Sequence, residues 1–90
     1  MEFVGKINKK AERTGTTQDG RAWKSAQYLV TEVKENPQSI VIDVMDGKEE
    51  RVAQFDAMEG KVVKVRYGMH ARLYNGRYYN DVTGYSVTEL

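Results

Sequence analysis

Ninety residues with no cysteine, a single histidine and a formal net charge of +1 bound what this chain can be. One modest core fits that length; disulfides, thiolate metal sites and a conventional structural zinc site do not fit that composition. No apolar run nears the ~20 residues that span a bilayer, the first residues lack the pattern of a signal peptide, and a cytoplasmic protein is the expected setting.

The charges are unevenly spread. Glu32, Glu35, Asp43, Asp46, Glu49, Glu50, Asp56 and Glu59 crowd the middle. Lys6, Lys9, Lys10, Arg13, Arg21 and Lys24 lie toward one end, and Lys61, Lys64, Arg66, Arg72 and Arg77 toward the other. A fold that joins the ends would set a basic surface against an acidic one, and placement decides polyanion binding more than net charge does.

Phe3, Gly5, Ile7 and Ala11 alternate with Lys6, Asn8, Lys10 and Glu12, which predicts a first strand with one apolar face. Val4 breaks that pattern. Thr14 to Gly20 reads as a polar loop. A second strand runs from Trp23 to Val33, with Ala26, Tyr28 and Val30 on one face. Trp23, Ser25, Gln27, Leu29 and Thr31 take the other, although Leu29 and Val30 are both apolar and leave the phase open. Glu35 to Gln38 is a turn containing the only proline, Pro37. The β-branched run Ser39 to Met45 is a third strand, its core face Ile40, Ile42 and Val44.

Asp46, with Glu49 three residues later, has the spacing of a helix cap. A short helix is predicted over Lys48 to Phe55, with Val52 and Phe55 on one side. Lys61 to Met69 alternates as a fourth strand with Val63, Val65, Tyr67 and Met69 inward. Asn75-Gly76 then predicts a type I′ hairpin turn, since both central residues must take positive φ. A fifth strand covers Arg77 to Thr88, and Gly84 marks a bulge or bend within it.

The order β-β-β-α-β-β, in one domain over residues 1–90, predicts an all-β protein: a five-stranded OB-fold barrel with a short helix between strands 3 and 4. The strand 2–3 face and loops 1–2 and 4–5 of such barrels bind oligonucleotides or oligosaccharides. An SH3-like barrel does not usually place a helix there, and an α+β sandwich needs a longer one.

The candidate site residues gather at two places. Around the predicted hairpin stand Arg72, Tyr74, Arg77, Tyr78 and Tyr79; around loop 1–2 stand Arg21, Trp23 and Lys24. Aromatic platforms interleaved with guanidinium groups suit unpaired bases and the phosphates between them. Trp23 has two readings, a base platform on the polar strand face or a plug at the barrel end with its N–H on a carbonyl. Either Tyr78 or Tyr79 faces outward, because neighbours in a strand point to opposite sides. Tyr28, Tyr67 and Tyr85 are assigned to the core or the barrel ends. Lys6, Arg13, Lys64 and Arg66 are further candidates for tracking a backbone, although each alone reads as a solvated surface charge.

His70 has no nucleophile or carboxylate partner evident in sequence and reads as a structural or exposed histidine. Asp43 and Asp46 could suggest a metal, but capping by Asp46 explains one of them without any ion. No phosphate-binding glycine loop and no Ser/His/Asp arrangement is evident. A non-enzyme with no cofactor and no metal is expected.

The segments Met1-Glu2-Phe3-Val4-Gly5-Lys6-Ile7, Gly15, Trp23-Lys24 and Gln27-Tyr28-Leu29-Val30-Thr31-Glu32 resemble a short bacterial domain-of-unknown-function family. The run Tyr74-Asn75-Gly76-Arg77-Tyr78-Tyr79-Asn80-Asp81-Val82 is similar to its C-terminal motif, so the likeness covers nearly the whole chain. The family's pattern looks like that of single-stranded-DNA-binding OB proteins, which share a tryptophan early in strand 2 and an aromatic, arginine-bearing loop 4–5. The resemblance implies the OB fold and, through it, single-stranded nucleic-acid binding.

The expected function is binding of single-stranded DNA, or RNA, with little sequence preference, by stacking on Trp23, Tyr74 and Tyr78 or Tyr79. Arg21, Lys24, Arg72 and Arg77 would meet phosphates. A homo-oligomer is one route to tight binding. The alternative is a protein-interaction module that uses the barrel face or an open strand edge, favoured by the near-neutral charge and acidic middle. Oligosaccharide binding ranks third, because tyrosine and tryptophan also stack on sugars.

Overall fold

The computed structural model describes residues 1–45 and 48–90, and Arg13 by its backbone. Among the described residues, five strands and one helix follow the predicted order: β1 Glu2–Thr16, β2 Ala22–Thr31, β3 Ser39–Val44, α1 Glu49–Ala57, β4 Val62–Tyr74 and β5 Arg77–Glu89. The strands close into a barrel in the order β1-β2-β3-β5-β4. Among the described residues the pairings are antiparallel except for the parallel bridge Asp43↔Thr83, through which β3 meets β5. This is the five-stranded OB-fold barrel, with its helix between β3 and β4.

The first strand is longer than its alternation indicates, and it serves two neighbours. Its N-terminal part pairs with β4 from Glu2↔Arg66 to Lys6↔Val62. Its remainder pairs with β2 as far as Thr16↔Ala22. Between Ile7↔Val30 and Lys9↔Leu29 the register slips, leaving Asn8 as the extra residue of a bulge. A bulge inverts the inward–outward alternation beyond it. Ile7 is therefore buried, whereas Ala11, expected on the same apolar face, stands across from Gln27 and is exposed. Lys10 takes the inward parity instead, opposite Tyr28.

The phase of β2 is the one that buries Ala26, Tyr28 and Val30. With Ile7, Ile42, Val44, Phe55, Val63 and Val65 they form the core. Ile40, Val52 and Tyr67 pack on its margin. Phe55 is the buried residue of α1 and seals the barrel from below, its ring stacked on Tyr28 at a centroid distance of 5.0 Å. Gly84 makes room for it: a Cβ there would stand 2.6 Å from Ile42 Cγ2 and 2.9 Å from Phe55 Cζ. The predicted bulge lies beside this glycine, where Arg66↔Ser86 is followed by Tyr67↔Gly84 and Tyr85 is the extra residue.

Two further expectations need correction. Met69 is 49% exposed, not inward, because β4 and β5 run past the barrel as a free-standing ribbon and carry the inward face out with them. Tyr85 is neither core nor barrel end; the bulge turns it outward, where its ring covers Gly68 and Arg51 lies 5.8 Å from its centroid. The helix starts at Glu49 after Lys48, which makes no side-chain capping bond. The cap expected at Asp46 lies outside the described residues.

The Tyr28 hydroxyl donates to Asp56 Oδ1 at 2.8 Å, with the Val52 carbonyl at 3.3 Å, and Lys10 Nζ holds the other Asp56 oxygen at 3.1 Å. Burial and the Asp56 carboxylate push the Tyr28 phenol far above its usual range. The unfolded chain loses that proton near its ordinary value of 10.0 while the folded chain keeps it. Stability is therefore expected to fall as pH rises beyond that value, by up to about 1.4 kcal/mol per pH unit from this residue. Urea titrations at rising alkaline pH check this: Tyr28→Phe should flatten that part of the profile.

Candidate nucleic-acid interface

The Asn75-Gly76 turn behaves as its sequence requires, with φ of 51° and 74°. Its two-residue loop fixes the ladder Tyr74↔Arg77, Arg72↔Tyr79, His70↔Asp81 and Gly68↔Thr83. Cross-strand partners in an antiparallel pair share a face. One face of the ribbon therefore carries Tyr74, Arg77, Arg72, Tyr79, His70 and Asp81. The opposite face carries Leu73 with Tyr78, Ala71 with Asn80, and Met69 with Val82. Tyr79 is the tyrosine that stands with the arginines; Tyr78, 80% exposed, faces the other way.

The Arg72 guanidinium lies over the Tyr79 ring at 5.1 Å and donates from Nε to Asp81 Oδ2 at 2.6 Å. Both contacts hold the guanidinium plane in place, and its outer nitrogens meet no side-chain acceptor among the described residues.

Asp43 and Thr83 join β3 to β5, so this ribbon face continues onto the outer face of the barrel. There β2 presents Trp23, Ser25 and Gln27. The surfaces enclose a groove of about 470 Å³, with Trp23 and Ser25 on one wall, His70 and Arg72 on the other, and Asp43, Met45, Asp81 and Thr83 between. Lys24 reaches its margin. Trp23 is not a core plug. It is partly buried on the outer face directly opposite Gly15, where a Cβ would come within 2.6 Å of the indole Cε2. Glycine there gives the indole a flat backbone bed.

The remaining basic candidates are dispersed. Arg21 sits in the tight loop closed by Thr17 and Gly20, its guanidinium 3.3 Å from Asp19. The Thr17 hydroxyl, and then Arg21, hold the Asp19 carboxyl below its usual range. Lys6, Lys64 and Arg66 share the outward parity of the β1–β4 pairing, away from the groove lining. The Arg13 side chain lies outside the described residues. Ser25, Asp43, His70, Asp81 and Thr83 were not singled out from sequence as part of a binding surface. Their signal was parity: counted in twos from Trp23, and across the ladder from Asn75-Gly76, each lands on this face, Asp43 by its place opposite Gln27.

A family described as a domain of unknown function, DUF3127, matches residues 2–88. The chain belongs to that family. No curated protein matches it. Among solved structures, the domain is similar to the mitochondrial single-stranded DNA binding protein Rim1 of S. cerevisiae. The TM-score is 0.71 at 15% identity, over 100% of this chain and 92% of that one. A small single-stranded DNA-binding protein from Streptomyces coelicolor aligns over 99% of this chain and 91% of its own, with a TM-score of 0.46 and 13% identity. At these identities the first likeness concerns the fold. No helix of the described residues is long and apolar enough to cross a membrane.

Proposed function

We propose that this DUF3127 domain binds single-stranded nucleic acid, DNA before RNA, along the groove between β2 and the β4–β5 ribbon. The observation that supports it most is the convergence of Trp23 and the Tyr79-backed Arg72 on one open groove. An indole on a glycine bed offers a base platform, and a pre-oriented guanidinium offers phosphate contacts. Tyr74 and Arg77 extend the same face toward the hairpin tip. The shared barrel of Rim1, itself a single-stranded DNA binding protein, points the same way by analogy of fold.

Such a groove accommodates few nucleotides, so tight binding calls for several domains acting together, and a homo-oligomer would supply them. The role is binding without catalysis or cofactor, in the cytoplasm. A second reading has one observation in its favour: Met69, Leu73 and Tyr78 form an exposed apolar back to the ribbon, suited to a protein contact.

Titrating Trp23 fluorescence with a short oligothymidine tests the proposal. Saturable quenching is expected, and its affinity should fall with salt at a log–log slope of about −2 to −3, as for three or four cations on a single strand. Unchanged fluorescence together with no binding by an independent probe would overturn it.

A further inference from the structure

Asp43 is the odd member of this groove. A carboxylate beside the path of a polyanion repels phosphates, so a strand lying there must turn something other than its backbone toward it. Asp43 Oδ1 accepts from Gln27 Nε2 at 2.9 Å, which fixes the carboxylate on the outer face and leaves Oδ2 without a side-chain partner among the described residues. The other groove carboxylate, Asp81, is engaged by Arg72. Asp43 lines the same groove as the Trp23 indole. A base turned into the groove beyond the indole, toward the rung where Asp43 faces Gln27, meets an acceptor in Oδ2.

We infer that Asp43 reads the base held in the groove, selecting one with an exocyclic amino group over thymine. This rests on the nucleic-acid reading of the groove. Cytosine and thymine separate the effect from size and stacking: cytosine presents N4–H₂, a donor that Asp or Glu accepts, where thymine presents the acceptor O4. Facing Oδ2, the first forms a charge-assisted hydrogen bond and the second sets two acceptors against each other. Stacking and phosphate contacts remain indifferent to sequence, so the preference is confined to the position over Asp43.

The test is anisotropy of labelled oligodeoxycytidine and oligothymidine of equal length at neutral pH, with the wild-type domain and with Asp43→Asn. The wild type should bind the cytidine strand about tenfold more tightly. Asparagine is isosteric, keeps an acceptor for Gln27 and can also donate to O4, so the preference should collapse in the variant, chiefly through tighter thymidine binding. Circular dichroism of the variant confirms the barrel. Equal wild-type affinities, or a cytidine preference that persists in Asp43→Asn, would overturn the inference while leaving groove binding intact. Failure to bind either strand would overturn the groove reading itself and the inference with it.

Discussion

Replacing Trp23 and Arg72 together with alanine is expected to weaken oligothymidine binding by about a hundredfold or more while the barrel stays folded. Base–aromatic stacking contributes ~1–3 kcal/mol per base, and a hydrogen bond to a charged group ~1.5–3 kcal/mol. Both side chains belong to the outer face rather than the core, so neither truncation opens a buried cavity. They line one groove, and groups that share a ligand seldom act independently. A double-mutant cycle read by anisotropy should therefore show coupling between them. Tyr78→Ser, on the far face of the ribbon, is the control and should leave affinity unchanged. Loss of binding in that control, with Trp23→Ala silent, would move the interface to the apolar back of the ribbon.

The second large effect concerns stability. Phe55→Ala is expected to destabilise the domain by about 3–5 kcal/mol, the usual range for deleting a buried aromatic ring. Phe55 is fully buried, stacks on Tyr28 and fills the space that Gly84 leaves open. Small domains have only ~5–15 kcal/mol in total, so the variant should be marginal at room temperature. Urea unfolding measures it; a loss below about 1 kcal/mol would mean that α1 does not seal the barrel.

Much of this architecture was legible because short-range rules dominate it. Asn75-Gly76 admits one turn type, and that turn dictates every pairing along the ribbon. Alternation in β3 placed Ile42 and Val44 in the core, with Ile40 on its margin, and the fold decided the open phase of β2 in favour of Ala26, Tyr28 and Val30. The errors arose where alternation is interrupted or outruns its support. Nothing in Ile7-Asn8-Lys9 announces that Asn8 is an extra residue, yet that one insertion turns Ala11 outward. Tyr85 is displaced by the same device beside Gly84. Met69 keeps its inward parity but has no barrel left to face.

The candidate site was half legible for a related reason. Trp23, Arg72 and Tyr79 announce themselves by residue type, and period-two counting puts them on a common side. Asp43 joins them through two long-range pairings, with Gln27 on β2 and with Thr83 on β5. Gly15 matters because of what lies on it, which composition does not show.

Backbone amide shifts recorded by NMR during titration with a short oligothymidine would map directly where a bound strand lies. The largest changes are expected on Trp23, Ser25, Asp43, Arg72 and Tyr79. Changes confined to Met69, Leu73 and Tyr78, or none at saturating strand, would contradict binding in the groove.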